Sequence, residues 1–185
     1  MTTPGFSAKV VAIHSCLEDA KIPHAFGGAL ALASYGEPRA TIDVDLNIFL
    51  DAGRHEEVTT ALGGLDIDSD VPSEQVVRDG QCRLFWGVTP VDLFYAYHEL
   101  HAAMRKAARQ APFRDTVLPV LAPEHLVTCK VIFNRRKDWL DIEQILVGAL
   151  DANRAEVSDW LNQIIGADDP RAERFAELSR AFDRN

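Results

Sequence analysis

The chain has little of what marks a secreted or membrane-bound protein. Its 185 residues include three scattered cysteines, Cys16, Cys82 and Cys129, which show neither metal-binding spacing nor an obvious disulfide set. No apolar run reaches the roughly 18 residues that a membrane span needs. The N-terminal segment lacks the basic and apolar regions of a secretory signal. These features predict a cytoplasmic protein that does not bind membranes.

Basic residues are also scarce. Lys and Arg number 19 against 28 Asp and Glu, which gives a formal net charge of −9. The overall field of such a chain does not attract nucleic acid, so an RNA substrate requires a local basic patch. Hydrophobic residues make up 47% of the chain, enough for a packed core, and the length fits one domain or one domain with a small helical appendage.

The apolar pattern predicts an α+β fold. Its short bulky runs favour strands at 24–26, 43–50, 82–88, 91–95 and 117–121, the third and fourth forming a hairpin. Its helical spacing and end signals favour helices at 6–20, 29–35, 54–62, 98–110, 123–133, 138–150, 154–165 and 170–182. The acidic residues 65–80 are predicted to form a loop or an irregular edge strand. We therefore expect a mixed sheet with packed helices over residues 1–97, followed by a mainly helical region over 98–185.

Two glycines and two aspartates point to a site. Gly27 and Gly28 follow a short apolar run, and a turn there lets backbone N–H groups and the next helix approach a phosphate. Asp43 and Asp45 are two apart on a predicted strand, so their carboxylates share a face. Like charges side by side are costly, and a divalent cation such as Mg²⁺ or Mn²⁺ removes the cost. Each feature alone is more often a plain turn or a solvated acid pair.

In this order the features resemble the nucleotidyltransferase superfamily with the polymerase-β-like fold. Its pattern is an apolar residue, Gly-Gly or Gly-Ser, roughly a dozen residues, then Asp-x-Asp or Asp-x-Glu. Within it the chain looks most like toxin nucleotidyltransferases of the AbiE/MenT type. Two segments carry that likeness: the lead-in Arg39-x-Thr41-x-Asp43-x-Asp45, and a downstream Lys–Asp segment with Glu124, Leu126, Lys130, Asp138 and Asp141. The resemblance covers most of residues 20–148.

The resemblance implies further site residues. Asp92 becomes a third acid on a neighbouring strand, which completes a metal-binding trio with Asp43 and Asp45. Lys130 contacts the triphosphate, and either Asp138 or Asp141 positions the lysine or the sugar. Taken alone, Asp92 also fits a turn after Pro90, and Asp138 also fits a helix cap. Arg39 and Thr41 either contact phosphate or stabilise their loop.

The activity that the resemblance implies is Mg-dependent transfer of a nucleotide from a nucleoside triphosphate to a hydroxyl. For the AbiE/MenT type the acceptor is the 3′ end of tRNA, translation stops, and a separate antitoxin protein neutralises the toxin. Residues 1–97 are then the catalytic core, and 98–185 complete the cleft. Two alternatives stay open: an enzyme of the same fold acting on a small molecule such as an aminoglycoside, and a non-catalytic nucleotide-binding member.

Two basic clusters are candidates for RNA contact, and either is equally an ordinary solvated helix face. The first contains Arg105, Lys106, Arg109 and Arg114, and the second contains Arg135, Arg136 and Lys137. The histidines show no pairwise ligand spacing apart from His98 and His101. Those two share a helix face without a third ligand, so a metal site there is not expected.

Overall fold

A mixed sheet of six strands organises the computed structural model, which describes residues 4–182. The strands are β1 (His24–Phe26), β2 (Val44–Ile48), β3 (Gln81–Trp86), β4 (Thr89–Tyr95), β5 (Arg109–Phe113) and β6 (Thr116–Val120). Their order across the sheet is β3-β4-β2-β1-β6-β5. The central pairs β2/β4 and β1/β6 are parallel, whereas β1/β2 and the hairpins β3/β4 and β5/β6 are antiparallel.

Nine α-helices accompany the sheet within the described part of the chain. They are α1 (Phe6–Asp19), α2 (Gly28–Leu32), α3 (His55–Leu62), α4 (Ser73–Asp79), α5 (Glu99–Ala107), α6 (Pro123–Phe133), α7 (Arg136–Gly148), α8 (Arg154–Ile164) and α9 (Pro170–Phe182). A 3₁₀ turn at Ala52–Arg54 leads into α3. No helix in residues 4–182 combines the length and the apolar character that a membrane crossing requires.

Helix α6 is the centre of the helical half. Proline at its first position suits a helix start, and Asn134 ends it in the left-handed conformation with φ of 55°. Helices α2, α7, α8 and α9 all pack against it. Residues on nearly every side of α6 are therefore buried, including Lys130. A buried lysine requires a partner, which ties this helix to the site described below.

Most of the predicted elements are confirmed. Helix α1 buries Val10, Ile13 and Leu17 completely, as the helical spacing indicated. The predicted hairpin is β3/β4, and α6, α8 and α9 lie within a residue or two of the predicted bounds. The α+β fold with a mixed sheet and packed helices is thus correct.

Three predictions were wrong in detail. Residues 65–80 contain the helix α4, which the pattern concealed because Val76 is its one buried residue. The helix predicted over 98–110 ends at Ala107, and Arg109–Phe113 forms an edge strand, where a proline such as Pro112 is tolerated. The helix after the glycines ends at Leu32 rather than at Tyr35.

The sheet draws strands from both sides of residue 97. Strands β5 and β6 belong to the segment expected to be mainly helical, and β6 pairs with β1 through Phe26 and Val120. The division into 1–97 and 98–185 stays a prediction, and its ends at 1–3 and 183–185 lie outside the described residues.

We expect Gly148→Ala to destabilise the protein, although residue 148 is exposed. A Cβ at this position would collide with the main-chain carbonyl oxygen of Tyr35, at the place where the end of α7 meets the segment after α2. Overpacking of this kind costs about 1–3 kcal/mol. Gly64→Ala is the matched control, because a Cβ there meets nothing within 4 Å. Equal urea midpoints for the two variants would contradict the predicted clash.

Candidate active site

The three predicted aspartates lie on one face of the central sheet. Asp45 on β2 and Asp92 on β4 are register partners on adjacent parallel strands, so their side chains leave the sheet side by side. Asp43 is two residues before Asp45, immediately before β2 begins. All three line a cleft of about 300 Å³. The three carboxylates are not in tight contact. They offer no set of three oxygen atoms, one from each, that all lie within 4.8 Å of one another.

The surroundings of Asp45 suit a cation. Burial raises the pKa of Asp45, and the nearby carboxylates of Asp92 and Asp43 raise it further, while Lys130 and Arg135 lower it. Within residues 4–182 the carboxylates of Asp43 and Asp45 accept no hydrogen bond and form no ion pair. Two unpaired carboxylates with a third nearby are an oxygen ligand set that fits Mg²⁺ or Mn²⁺.

The two glycines lie directly against the acids. The N–H of Gly27 donates to the carbonyl oxygen of Asp45 at 2.9 Å, and a Cβ on Gly28 would collide with the Asp45 carboxylate. Gly28 also has φ of +50°, which a side chain resists. This position therefore demands glycine for two reasons. Helix α2 has only five residues, so any phosphate would be held by its first free N–H groups more than by a helix dipole.

Lys130 is the centre of a buried ion-pair network beside the acids. Its Nζ donates to Asp141 at 2.6 Å and lies 3.9 Å from Asp138. The guanidinium of Arg39 donates to both oxygens of Asp141, at 3.3 Å and 3.2 Å. Lys130 and Arg39 both line the cleft. The network thus connects α6 and α7 to the loop that leads into Asp43.

The sequence left open whether Asp138 or Asp141 belongs to the site, and the two have different contacts. Asp138 is fully buried at the start of α7, where it accepts from the backbone N–H of Arg135 at 3.0 Å and from its guanidinium. That is a helix-capping arrangement, although α7 begins at Arg136 and Asp138 is its third residue. Asp141 makes the direct contact with Lys130.

Thr41 shapes the approach to the acids. Its hydroxyl oxygen accepts from the backbone N–H of Asp43 at 3.2 Å and lies 3.3 Å from the carbonyl oxygen of the same residue. The side chain lines the cleft, but its hydrogen bonds hold the loop.

Arg83 is a cleft residue that sequence reasoning missed. Its guanidinium donates to both carboxylate oxygens of Asp92, at 2.6 Å and 2.8 Å, a geometry that fixes the direction of the acid. The two-residue turn at Gly87 and Val88 sets Arg83 opposite Asp92 across the β3/β4 hairpin. The pairing of Arg83 with Asp92 could have been predicted from the sequence if the register of the hairpin had been derived from its turn. Asn47 and Arg135 also line the cleft.

Comparisons with known proteins identify the fold. No family model matches the sequence, and no curated protein does. The antibiotic-resistance factor ANT(2'')-Ia in solution is similar with a TM-score of 0.61 at 14% identity, over 97% of both chains. The crystal structure of ANT(2'')-Ia with adenylyl-2''-tobramycin gives 0.52 at 15% identity, over 96% of this chain and 97% of that one. An antigenic nucleotidyltransferase-like protein from Paracoccidioides brasiliensis gives 0.51 at 18% identity, over 96% and 92%.

At these identities the likeness establishes the architecture. The chain has the α+β, polymerase-β-like fold of nucleotidyltransferases, and the similar structures include a nucleotidyltransferase-like protein. The aspartates, the glycine turn and Lys130 face one cleft of this fold.

We expect Asp141→Asn to destabilise the protein by about 3 kcal/mol near neutral pH, because Lys130 and Asp141 are both almost completely buried. Burial raises the pKa of Asp141, but hydrogen bonds from Lys130 and Arg39 outweigh it and hold the pKa below 3.8. A lowered folded-state pKa stabilises the protein above the unfolded-state value. The difference between wild type and variant should persist at pH 5 and shrink as the pH falls below 3.8.

Urea unfolding at several pH values measures this effect. Asp151→Asn is the matched control, because it removes an exposed ion pair with Arg109 and should cost less than about 1 kcal/mol. A loss for Asp141→Asn no larger than the control's would contradict the importance of the buried pair.

Proposed function

We propose that the protein is a metal-dependent nucleotidyltransferase that transfers a nucleotide from a nucleoside triphosphate to an acceptor hydroxyl. The observation that carries this proposal is the pairing of Asp45 with Asp92 in parallel register, with the backbone of Gly28 against the Asp45 carboxylate. A phosphate-binding turn and a cation-binding acid pair then meet at one point. The fold of the chain, shared with nucleotidyltransferases, supports the same reading.

Each residue has a role in this reaction. Asp43, Asp45 and Asp92 hold Mg²⁺ or Mn²⁺, which offsets the charge of the phosphates when bound. The backbone N–H of Gly28, at the start of α2, binds the β- and γ-phosphates, while the N–H of Gly27 holds the turn against Asp45. Arg39 borders the same cleft. Lys130, oriented by Asp141, neutralises the pyrophosphate as it leaves.

The bonding changes are a substitution at phosphorus. A bond forms between the acceptor oxygen and the α-phosphorus, and the bond from that phosphorus to the bridging oxygen of pyrophosphate breaks. The acceptor hydroxyl gives its proton to Asp92, whose direction Arg83 fixes.

Asp45→Asn should abolish the reaction, with a loss of more than about 100-fold, because it removes a charged ligand from the centre of the acid trio. The assay mixes the purified protein with each of the four labelled triphosphates, Mg²⁺, and either total tRNA or a panel of aminoglycosides. Asp66→Asn, an exposed acid that does not line the cleft, is the control with the same charge change. Triphosphate binding that does not require metal, with no labelled product, would favour a non-catalytic nucleotide-binding protein.

For the acceptor we propose the 3′ end of tRNA. The resemblance to toxins of the AbiE/MenT type supports it, and so does the position of the second basic cluster. Arg135 and Lys137 line the cleft, and Arg136 is exposed between them. The members of the first cluster do not line it, and Arg109 there is paired with Asp151. A toxin role, the arrest of translation and a separate antitoxin partner are proposed with this acceptor and rest on the same resemblance.

A small cationic acceptor is the second candidate. Asp79 joins the three site aspartates in the cleft wall, and the net charge of the chain, −9, suits a cationic acceptor better than a polyanion. The similar structure of ANT(2'')-Ia contains adenylyl-2''-tobramycin, and this chain covers 97% of that protein. An aminoglycoside-type substrate would thus fit an enzyme of this size and fold.

The double variant Arg136→Glu, Lys137→Glu separates the two acceptors. With tRNA as the acceptor, labelling should fall at least about tenfold and lose part of its salt dependence, because phosphate contacts by basic residues dominate RNA affinity. Binding of the triphosphate alone should change little. Arg105→Glu, Lys106→Glu tests the first cluster in the same assay. Unchanged tRNA labelling in both double variants, or labelling of aminoglycosides alone, would overturn the tRNA proposal.

A further inference from the structure

Three ligand-type side chains meet away from the cleft, at the other end of β1. His14 and Glu18 are one turn apart on α1, and His24 is the first residue of β1. One ring nitrogen from each histidine and one Glu18 oxygen all lie within 4.8 Å of one another. Within residues 4–182, no other group of three His, Cys, Asp or Glu side chains has ligand atoms that all lie this close together.

The hydrogen bonds of His24 prepare one nitrogen for a metal. Its Nδ1 lies 2.8 Å from the carbonyl oxygen of Ile22. A carbonyl only accepts, so Nδ1 carries the proton and Nε2 of the neutral ring presents a lone pair. A backbone carbonyl that holds the far nitrogen is the usual support for a metal-binding histidine. That lone pair accepts a hydrogen bond from Nδ1 of His14 at 3.0 Å, and a metal ion that takes both nitrogens as ligands would replace this bond, with the His14 proton on its other ring nitrogen.

The three side chains differ in their exposure to solvent. His24 is buried, His14 is half-buried and Glu18 is exposed, so an ion would enter from the side of Glu18.

We propose that His14, Glu18 and His24 form a binding site for Zn²⁺, with water as the fourth ligand. Two imidazole nitrogens and one carboxylate oxygen suit zinc, whereas Mg²⁺ prefers an all-oxygen set. The three side chains line a surface pocket together with Phe49 and Arg105, which leaves room for a water ligand. The positive charge of Arg105 disfavours a cation in this pocket, and the negative charge of Glu18 counteracts that effect.

Such a site would hold α1 against the strand that leads into the glycine turn. The two elements are joined by a short connection through Lys21, which has φ of 56°, and Pro23. His24 and Gly27 are three residues apart, about 10 Å along an extended strand. The zinc site is therefore separate from the acid trio, and we assign it a structural role.

The test uses the full chain, stripped of metal by a chelator and titrated with ZnCl₂ in excess Mg²⁺. We expect one high-affinity zinc ion per chain, measured by competition with a chromophoric chelator, and a melting temperature that rises with zinc concentration. Co²⁺ in the same site should give the visible absorption of a four-coordinate ion. His14→Gln and Glu18→Gln should each weaken binding at least about tenfold.

Two controls make the result decisive. Asp19→Asn changes an exposed acid next to Glu18 outside the cluster, and Asp45→Asn removes a ligand from the cleft; both should retain zinc binding. His14→Gln still offers a hydrogen-bond donor to His24, and its melting temperature without zinc reports whether it folds normally. No stoichiometric zinc binding, or zinc binding unchanged in both cluster variants, would overturn the proposal, whatever the outcome of the transferase assays.

Discussion

The parallel register of β2 and β4 is the constraint on which the candidate site depends. Side chains alternate along both strands, so the burial of Val44 and Leu46 on one face forces Asp45 onto the other. On β4, Val91 and Leu93 are fully buried in the same way and place Asp92 beside Asp45. A slip of one residue would exchange the faces and bury the acids in the core. Hydrophobic packing therefore holds two mutually repelling carboxylates together.

The charges around the cleft bear on how a triphosphate would bind in the proposed reaction. Most of the nearby cations are paired with carboxylates: Lys130 and Arg39 share Asp141, Arg83 pairs with Asp92, and Arg135 pairs with Asp138. These pairs contribute little net charge. Asp43 and Asp45 are left uncompensated within the described chain, which agrees with the raised pKa of Asp45. Their field repels free phosphate, so we infer that a divalent cation and the triphosphate bind together.

Local patterns in the sequence were enough to predict much of the fold and many of the cleft residues. The glycine pair and the Asp-x-Asp spacing depend on neighbours within a few residues, and the structure brings Gly27, Gly28, Asp43 and Asp45 to one cleft. Helix α1 and the β3/β4 hairpin were predictable for the same reason. The strand β5 was not, because an exposed edge strand that contains Pro112 has neither an apolar alternation nor a typical composition.

Contacts between distant segments explain what could not be predicted. Arg39 and Asp141 are 102 residues apart, and only the packing of α7 beside the loop before β2 brings them together. His14 and His24 are separated by ten residues, but they belong to a helix and a strand whose connection reverses the chain. Spacing along one helix or one strand reveals ligands on a shared face, and it does not reveal ligands that a turn brings together. The spacing of the histidines in the sequence therefore could not predict this cluster, because the turn between α1 and β1 is what brings them together.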